Sequence, residues 1–395
     1  MLIFICAIIL SIIAAYFLNN KIKNYRLKNF KYKAFNSLAK HYSYCFVLWS
    51  IFTTFIIILS PLSVAIQCLI ILLFLGLNFF IIINLQSKSF NAKKHIEKSG
   101  EFILSITAGI GILITIIITA SILFESLRFF QKVSVFDFLF GLEWNPQMAI
   151  YEDQAVGKSA FGFIPVFLGT LLITLIAMLI AIPMGIMGAI YLGMYAKSST
   201  RDILKPILEI LAGVPTVVYG YFAVTTIGPF FKSLFAFFGI KVAGESALAA
   251  GFVMGIMIIP FILSLTDDAL RSVPESLKDG ALAMGSTNSE MIKKVALPAA
   301  TPSIVGAVIL AISRAIGETM IVVMAAGLVA TLTFNPLDSV TTATAQIVTL
   351  LVGDQEFDSP KTLAAFALAL TLFILTFTFN VVALSVIKSY KKKFS

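Results

Sequence analysis

The amino-acid sequence predicts an all-α polytopic membrane protein of about nine transmembrane helices, and three observations lead there. Of 395 residues, 59% are hydrophobic and only 12% are charged, a balance that a soluble chain of this length could not bury. Apolar runs of about 20 residues recur, each able to cross a hydrocarbon core of roughly 30 Å as a helix. The lysines gather in short stretches between these runs, so the net charge of +9 marks cytoplasmic loops rather than a nucleic-acid surface.

Residues 2–18 form the first run, with no basic residue before it and Lys21, Lys23, Arg26, Lys28, Lys31, Lys33 and Lys40 after it. A cleaved signal peptide has the opposite layout, so a retained helix with a periplasmic N-terminus is expected. Pro61 divides the next apolar stretch into helices at about 43–60 and 62–85, because proline removes a backbone donor and favours a turn. The chain returns inside at Lys88, Lys93, Lys94 and Lys98.

A fourth span, about 102–124, delivers residues 125–160 to the outer side, where the aromatic spacing of "ESLRFFQKVSVFDFLFG" predicts a short helix along the interface. The fifth, about 163–195, holds Pro183 and Gly185 and is expected to kink or tilt before Lys197, Arg201 and Lys205. Spans follow at about 207–230, 246–266, 301–330 and 362–387. Nine crossings place the final "KSYKKKFS" and the hydrophilic segment 267–300 in the cytoplasm. They place the acidic loop with Asp338, Asp354, Glu356 and Asp358 outside.

Composition shifts near residue 160 from Ile, Leu and Phe toward Gly, Ala, Pro and Thr. Small residues such as the Gly251 and Gly255 pair let helices approach closely, so the later part reads as the working bundle. Three divisions follow: an N-terminal extension of about three helices over 1–100, a helix and outer loop over 101–160, and a core over 161–395. Cys6, Cys45 and Cys68 lie in or beside apolar helices, and His41 and His95 lie in lysine-rich loops; neither set has metal or disulfide spacing. "GKS" at 157–159 lacks the glycine that a phosphate loop needs at position 152, which is Glu152. Asp267 and Asp268 are read as a solvated helix end.

The most specific stretch is "DGALAMGSTNSEMIKKVALPAATPS". Asp279, Gly280 and Ala281 open it, Gly285 follows four residues after Ala281, and Val295, Leu297 and Pro298 close it. This spacing resembles the coupling loop of ABC-importer permeases, in which Glu-Ala-Ala, three residues, Gly, nine residues, Ile, one residue and Leu-Pro recur. Asp279, Gly280 and Val295 depart modestly from that pattern. Gly285 is suited to a turn of positive φ, and Pro298 to the start of the next membrane segment.

With "FESLRFFQKVSVFDFLFGLEWNPQ", "LAGVPTVVYGYFA" and "SRAIGETM", the chain over roughly 125–390 is similar to the PstC family of phosphate-importer permeases, in a long form with extra N-terminal helices. The resemblance implies a type I ABC importer permease core in a bacterial inner membrane, with residues 279–298 docking a cytoplasmic ATPase. It also implies three partners: a homologous second permease (PstA-like), an ATPase (PstB-like) that binds the ATP and Mg, and a periplasmic phosphate-binding protein (PstS-like). This chain would carry no cofactor and no ATPase site. A permease for phosphonate, sulfate or molybdate is the alternative within that class. A secondary anion transporter or channel would need no ATPase, and the coupling loop argues against it.

Arg314 and Glu318 stand in the eighth apolar run, spaced i, i+4 so that both would project from one helix face. An arginine in the bilayer interior costs at least about 2.5 kcal/mol, so it faces a bundle interior or an aqueous path. Its planar donors match phosphate oxygens, while the pair could also be a structural ion pair. The resemblance implies the first role.

The charge pattern makes a topological prediction. In a chain freed of native cysteines, cysteines placed at 30, 95, 200 and 285 should be shielded from an impermeant thiol reagent, and those at 150 and 355 should react. External labelling at position 30 would overturn the N-terminal topology.

Overall fold

A computed structural model of the chain describes residues 11–20, scattered positions between 44 and 81, and the segments 92–146, 160–352 and 358–394. The chain divides into two compact units, Met1–Ile117 and Ile118–Ser395. In the first, residues 11–20 are helical, overlapping the expected first span and running two residues past its end; the expected helices 43–60 and 62–85 lie largely outside the described residues. Helix α1, Ala92–Lys132, begins in this unit and ends in the second.

The second unit holds α2 (Val135–Phe140), a two-stranded hairpin pairing Trp144–Asn145 with Ala160–Phe161, and α3 (Phe163–Ile190), which runs into a π turn at Tyr191–Tyr195. Next come α4 (Ser198–Ala212), α5 (Thr216–Phe222), α6 (Gly228–Ala236) and α7 (Ala247–Arg271). Then follow α8 (Glu275–Ala283), α9 (Asn288–Met291), α10 (Leu297–Ile316), α11 (Met320–Ala325), α12 (Ala343–Leu351) and α13 (Pro360–Phe394). Among the described residues five helical runs are long and apolar enough to span a membrane, or six if α4 and the α5–α6 run are taken as one bent span. The protein is thus an all-α polytopic membrane protein.

Several expected boundaries change for identifiable reasons. The fourth span is longer than 102–124: α1 absorbs the first half of the aromatic stretch, leaving only Val135–Phe140 as a separate helix. The expected span 207–230 is broken by 86° at Gly213, Val214 and Pro215. Gly213 ends α4, and Pro215 biases Val214 away from the helical region. The expected span 301–330 also breaks, at Gly317–Thr319, and only six residues of helix follow. Within the stretch read as an acidic loop, Ala343–Leu351 forms a helix with Ala343, Ala345, Gln346 and Leu350 buried.

The core is organised by α3 against α7. A Cβ on Gly251 would stand 2.8 Å from the Ile176 Cβ, and one on Gly255 would stand 3.0 Å from the Ala177 carbonyl oxygen, so the two backbones touch where the small-residue pair was expected to allow it. Around this crossing Ile173, Ala177, Val253, Met254 and Ile258 are buried with Ala311 and Ala315 of α10 and Ile321 of α11. A second cluster, at the other end of α3, packs Phe129, Phe138, Phe161 and Phe163 with Trp144, and the Trp144 indole N–H donates to the Gln346 Oε1 at 2.9 Å.

Gly251→Val should force α3 and α7 apart. Overpacking of this kind costs typically about 1–3 kcal/mol, so the purified protein should show a lower Tm in detergent, partly restored by Ile176→Ala. An unchanged Tm in the single variant would mean that the crossing is not close-packed.

Candidate functional site

The segment after α7 folds as a helix, a turn and a helix, and the backbone N–H groups of Gly285, Ser286 and Thr287 at the turn all have partners. At the end of α8, the Ser286 N–H donates to the Ala281 carbonyl at 3.2 Å and the Gly285 N–H to the Leu282 carbonyl at 2.9 Å, the paired bonds of a Schellman stop. Gly285 adopts φ +87, the left-handed region in which a side chain is strained. Thr287 then caps α9, accepting from the Glu290 N–H while the Glu290 carboxylate accepts from the Thr287 N–H, a reciprocal capping box.

This turn presents an apolar tip. Met284 is 89% exposed, with Leu277 and Leu282 exposed nearby. Asp279 and Gly280 are on the exposed side of α8, whereas Ala281 packs inward against Met291, Ile292 and Ala296. Val295 lies in a π turn, Ile292–Ala296, and Leu297 packs near Leu270 and Ala300. Pro298 stands in the first turn of α10, at the start of the membrane segment as expected. Asn288–Ile316 is one helical run, and the π turn just before Pro298 shifts the hydrogen-bond ladder where the proline has no N–H to give.

The reading of Asp267 and Asp268 as a solvated helix end holds for Asp268, which is exposed, and fails for Asp267, which is 2% exposed. The Asp267 Oδ2 accepts from Arg201 at 2.5 Å and faces the Lys205 ammonium at 3.5 Å; Oδ1 lies 3.4 Å from the Arg271 Nε. Gly193 makes room for this carboxylate, since a Cβ there would stand 2.9 Å from Oδ1. Arg201 and Lys205 share one face of amphipathic α4, so two cations tie α4 to Asp267 near the end of α7, just before the loop, while Arg271 faces the same carboxylate from α7 itself. A cleft of about 560 Å³ opens beside them, lined by Arg201, Lys205, Glu209 and Arg271. Removing one partner of a buried ion pair typically costs about 3–5 kcal/mol, enough to make this joint a firm one. The i, i+4 spacings Arg201–Lys205 and Asp267–Arg271 were visible in the sequence, but nothing there brought the two pairs together.

Arg314 and Glu318 do not share a helix face. Arg314 occupies the last turn of α10, where its charge favours the helix C-terminus, while Glu318 lies in the break after Gly317. No ion pair within 4.0 Å joins them among the described residues. Instead the guanidinium carbon of Arg314 stands 5.6 Å from the centroid of the Phe261 ring on α7. The break is pinned by the Thr344 hydroxyl, which donates to the Glu318 carbonyl at 2.8 Å, and the adjacent Ser313 hydroxyl donates to the Asn380 Oδ1 at 3.0 Å. Arg314 is exposed and Glu318 half-buried. A charged, exposed arginine with its donors open can take an anion with oxygens in one plane.

A probable ABC transporter permease protein, YqgH of Bacillus subtilis (strain 168), is 34% identical over 285 residues, covering 72% of this chain and 88% of its own length. Phosphate transport system permease protein PstC 1 of Mycobacterium bovis is 32% identical over 276 residues, covering 64% of this chain and 81% of its own. A chain of the inward-facing MetNI methionine ABC transporter overlays with a TM-score of 0.43 at 18% identity, covering 58% of this chain and 94% of that one. Residues 181–392, which include α4, the turn at Gly285 and Arg314, match the model of the binding-protein-dependent transport system inner membrane component. The chain therefore belongs to that family of inner-membrane transport subunits.

Proposed function

We propose that this chain is the permease subunit of an ATP-driven importer and forms part of the path of inorganic phosphate across the inner membrane. The observation that carries the reading is Arg314: a guanidinium at the end of a membrane-crossing helix, exposed, with no carboxylate within ion-pair distance among the described residues. Such a charge is not stable against lipid, so it faces an aqueous path or a second subunit. A second, homologous permease packed on this side would enclose it.

Inorganic phosphate near neutrality offers both unprotonated oxygens, which accept from the guanidinium, and a P–OH group, which can donate to a carboxylate. Glu318, half-buried one turn of chain away, is the acceptor in this reading. An anion without a proton, such as sulfate, would meet repulsion there. The relative named as a phosphate transport permease supports this choice of anion. At the other end of the run 288–316, the turn at Gly285 with exposed Met284 is the docking element for the ATPase subunit, which binds the ATP and Mg. The Asp267 joint beside it would pass the motion of that subunit into α7 and α4. The N-terminus would be periplasmic and the C-terminus cytoplasmic, and a periplasmic binding protein would deliver phosphate at the outer end.

Two measurements test this reading. Gly285→Pro cannot reach φ +87 and loses the N–H given to Leu282, so the variant should insert normally yet recover less ATPase on co-purification and import little phosphate. Unchanged recovery and uptake would remove the turn from the docking role. Arg314→Lys keeps the charge and loses the paired donors; one charge-assisted hydrogen bond is worth about 1.5–3 kcal/mol, so uptake per assembled complex should fall roughly ten- to hundredfold. Near-normal phosphate uptake by Arg314→Gln with Glu318→Gln, in cells lacking other phosphate importers, would end the substrate-path reading.

A further inference from the structure

Arg314 has a long side chain with several rotatable bonds, yet no acidic partner holds it among the described residues. Beside its charge lies an aromatic face. The guanidinium carbon lies 5.6 Å from the Phe261 centroid, within the range in which the ring quadrupole attracts a cation. We propose that Phe261 is a positioning residue for transport, holding the Arg314 guanidinium against its ring so that the N–H donors point outward to the passing anion; this rests on the phosphate-path reading above.

The chemistry of the partner is what matters. A carboxylate in that position would take two of the five guanidinium N–H donors and offset the charge, so an anion would have to displace it. A ring face attracts the cation and takes no in-plane donor. The arginine is thereby oriented and still fully able to bind oxygen ligands. The ring itself is well placed to be rigid: Phe261 is half-buried, packed against the core around α3 and α7, and follows Pro260 on α7. On the other side, Ser313 and Asn380 tie the last turn of α10 to α13. The guanidinium thus works from a fixed base toward an open side, which is what pre-organised recognition requires.

The test uses the complete importer in cells lacking other phosphate importers, with initial rates of radiolabelled phosphate uptake divided by the amount of assembled complex. Phe261→Leu should lower the rate roughly five- to tenfold, and Phe261→Tyr and Phe261→Trp should stay within about twofold, because both keep a π face. Replacing Phe261 by mono-, di- and trifluorinated phenylalanines changes the ring quadrupole with little change in shape. Uptake should then fall stepwise with fluorine count while assembly stays constant, a pattern that a merely structural ring would not produce. A flat fluorine series, or a leucine variant as active as the tyrosine variant, would overturn the proposal. If Arg314→Gln is inactive while the fluorine series is flat, Phe261 alone loses its role. If Arg314→Gln transports normally, the phosphate-path reading and this inference both fall.

Discussion

The close crossing of α3 and α7 is the contact on which the rest of the second unit depends. Lipid tails are as apolar as leucine, so a membrane interior gives little hydrophobic drive for one helix to prefer another. Contact must come from close van der Waals packing, and Gly251 and Gly255 allow it by letting the α7 backbone rest on Ile173, Ile176 and Ala177. With one face of α7 committed to α3, its remaining faces are available to α10, α11 and α4. Phe261 and Asp267, six residues apart on that helix, therefore reach Arg314 of α10 and Arg201 of α4 from one rigid element.

The two basic residues that stand out on the bundle meet opposite solutions. Arg201 is drawn onto a buried carboxylate shared with Lys205 and Arg271, a closed cluster in which one acid serves three cations. Arg314 receives only a ring and keeps its donors open. A closed cluster suits a mechanical joint, because breaking it exposes uncompensated charge. An open guanidinium suits transient binding, because nothing must be displaced before an anion enters.

Helix breaks within the membrane region are tolerated because the freed backbone groups find partners. The Tyr219 hydroxyl reaches back across the Gly213–Pro215 break to the Leu211 carbonyl at 2.9 Å, and Thr344 does the same for Glu318. At the N-terminus of α7, the carbonyls of Pro336 and Asp338 accept from the Leu248 and Ala247 N–H groups, with Ser246 accepting from Ala249. The irregular chain after α11 is thus a lid over helix ends, held in protein contacts where lipid could not satisfy it.

The membrane class, the five long spans of the described chain, the small-residue contact and the turn at Gly285 were legible in the sequence. They rest on local properties: runs of apolar residues, the absence of a Cβ, and the φ that only glycine adopts easily. The breaks at 213–215 and 317–319 were less legible, because apolar composition continues across both and masks what Pro215 and Gly317 do to the backbone. The partners of Asp267 and Arg314 could not be read at all. An i, i+4 spacing pairs Arg314 with Glu318 only if the helix continues between them, and it ends at Ile316. Which aromatic ring then lies under the guanidinium, and which helix brings its cations to Asp267, depends on contacts between residues 53 and 66 positions apart in the chain, and only the packing of α4, α7 and α10 decides those.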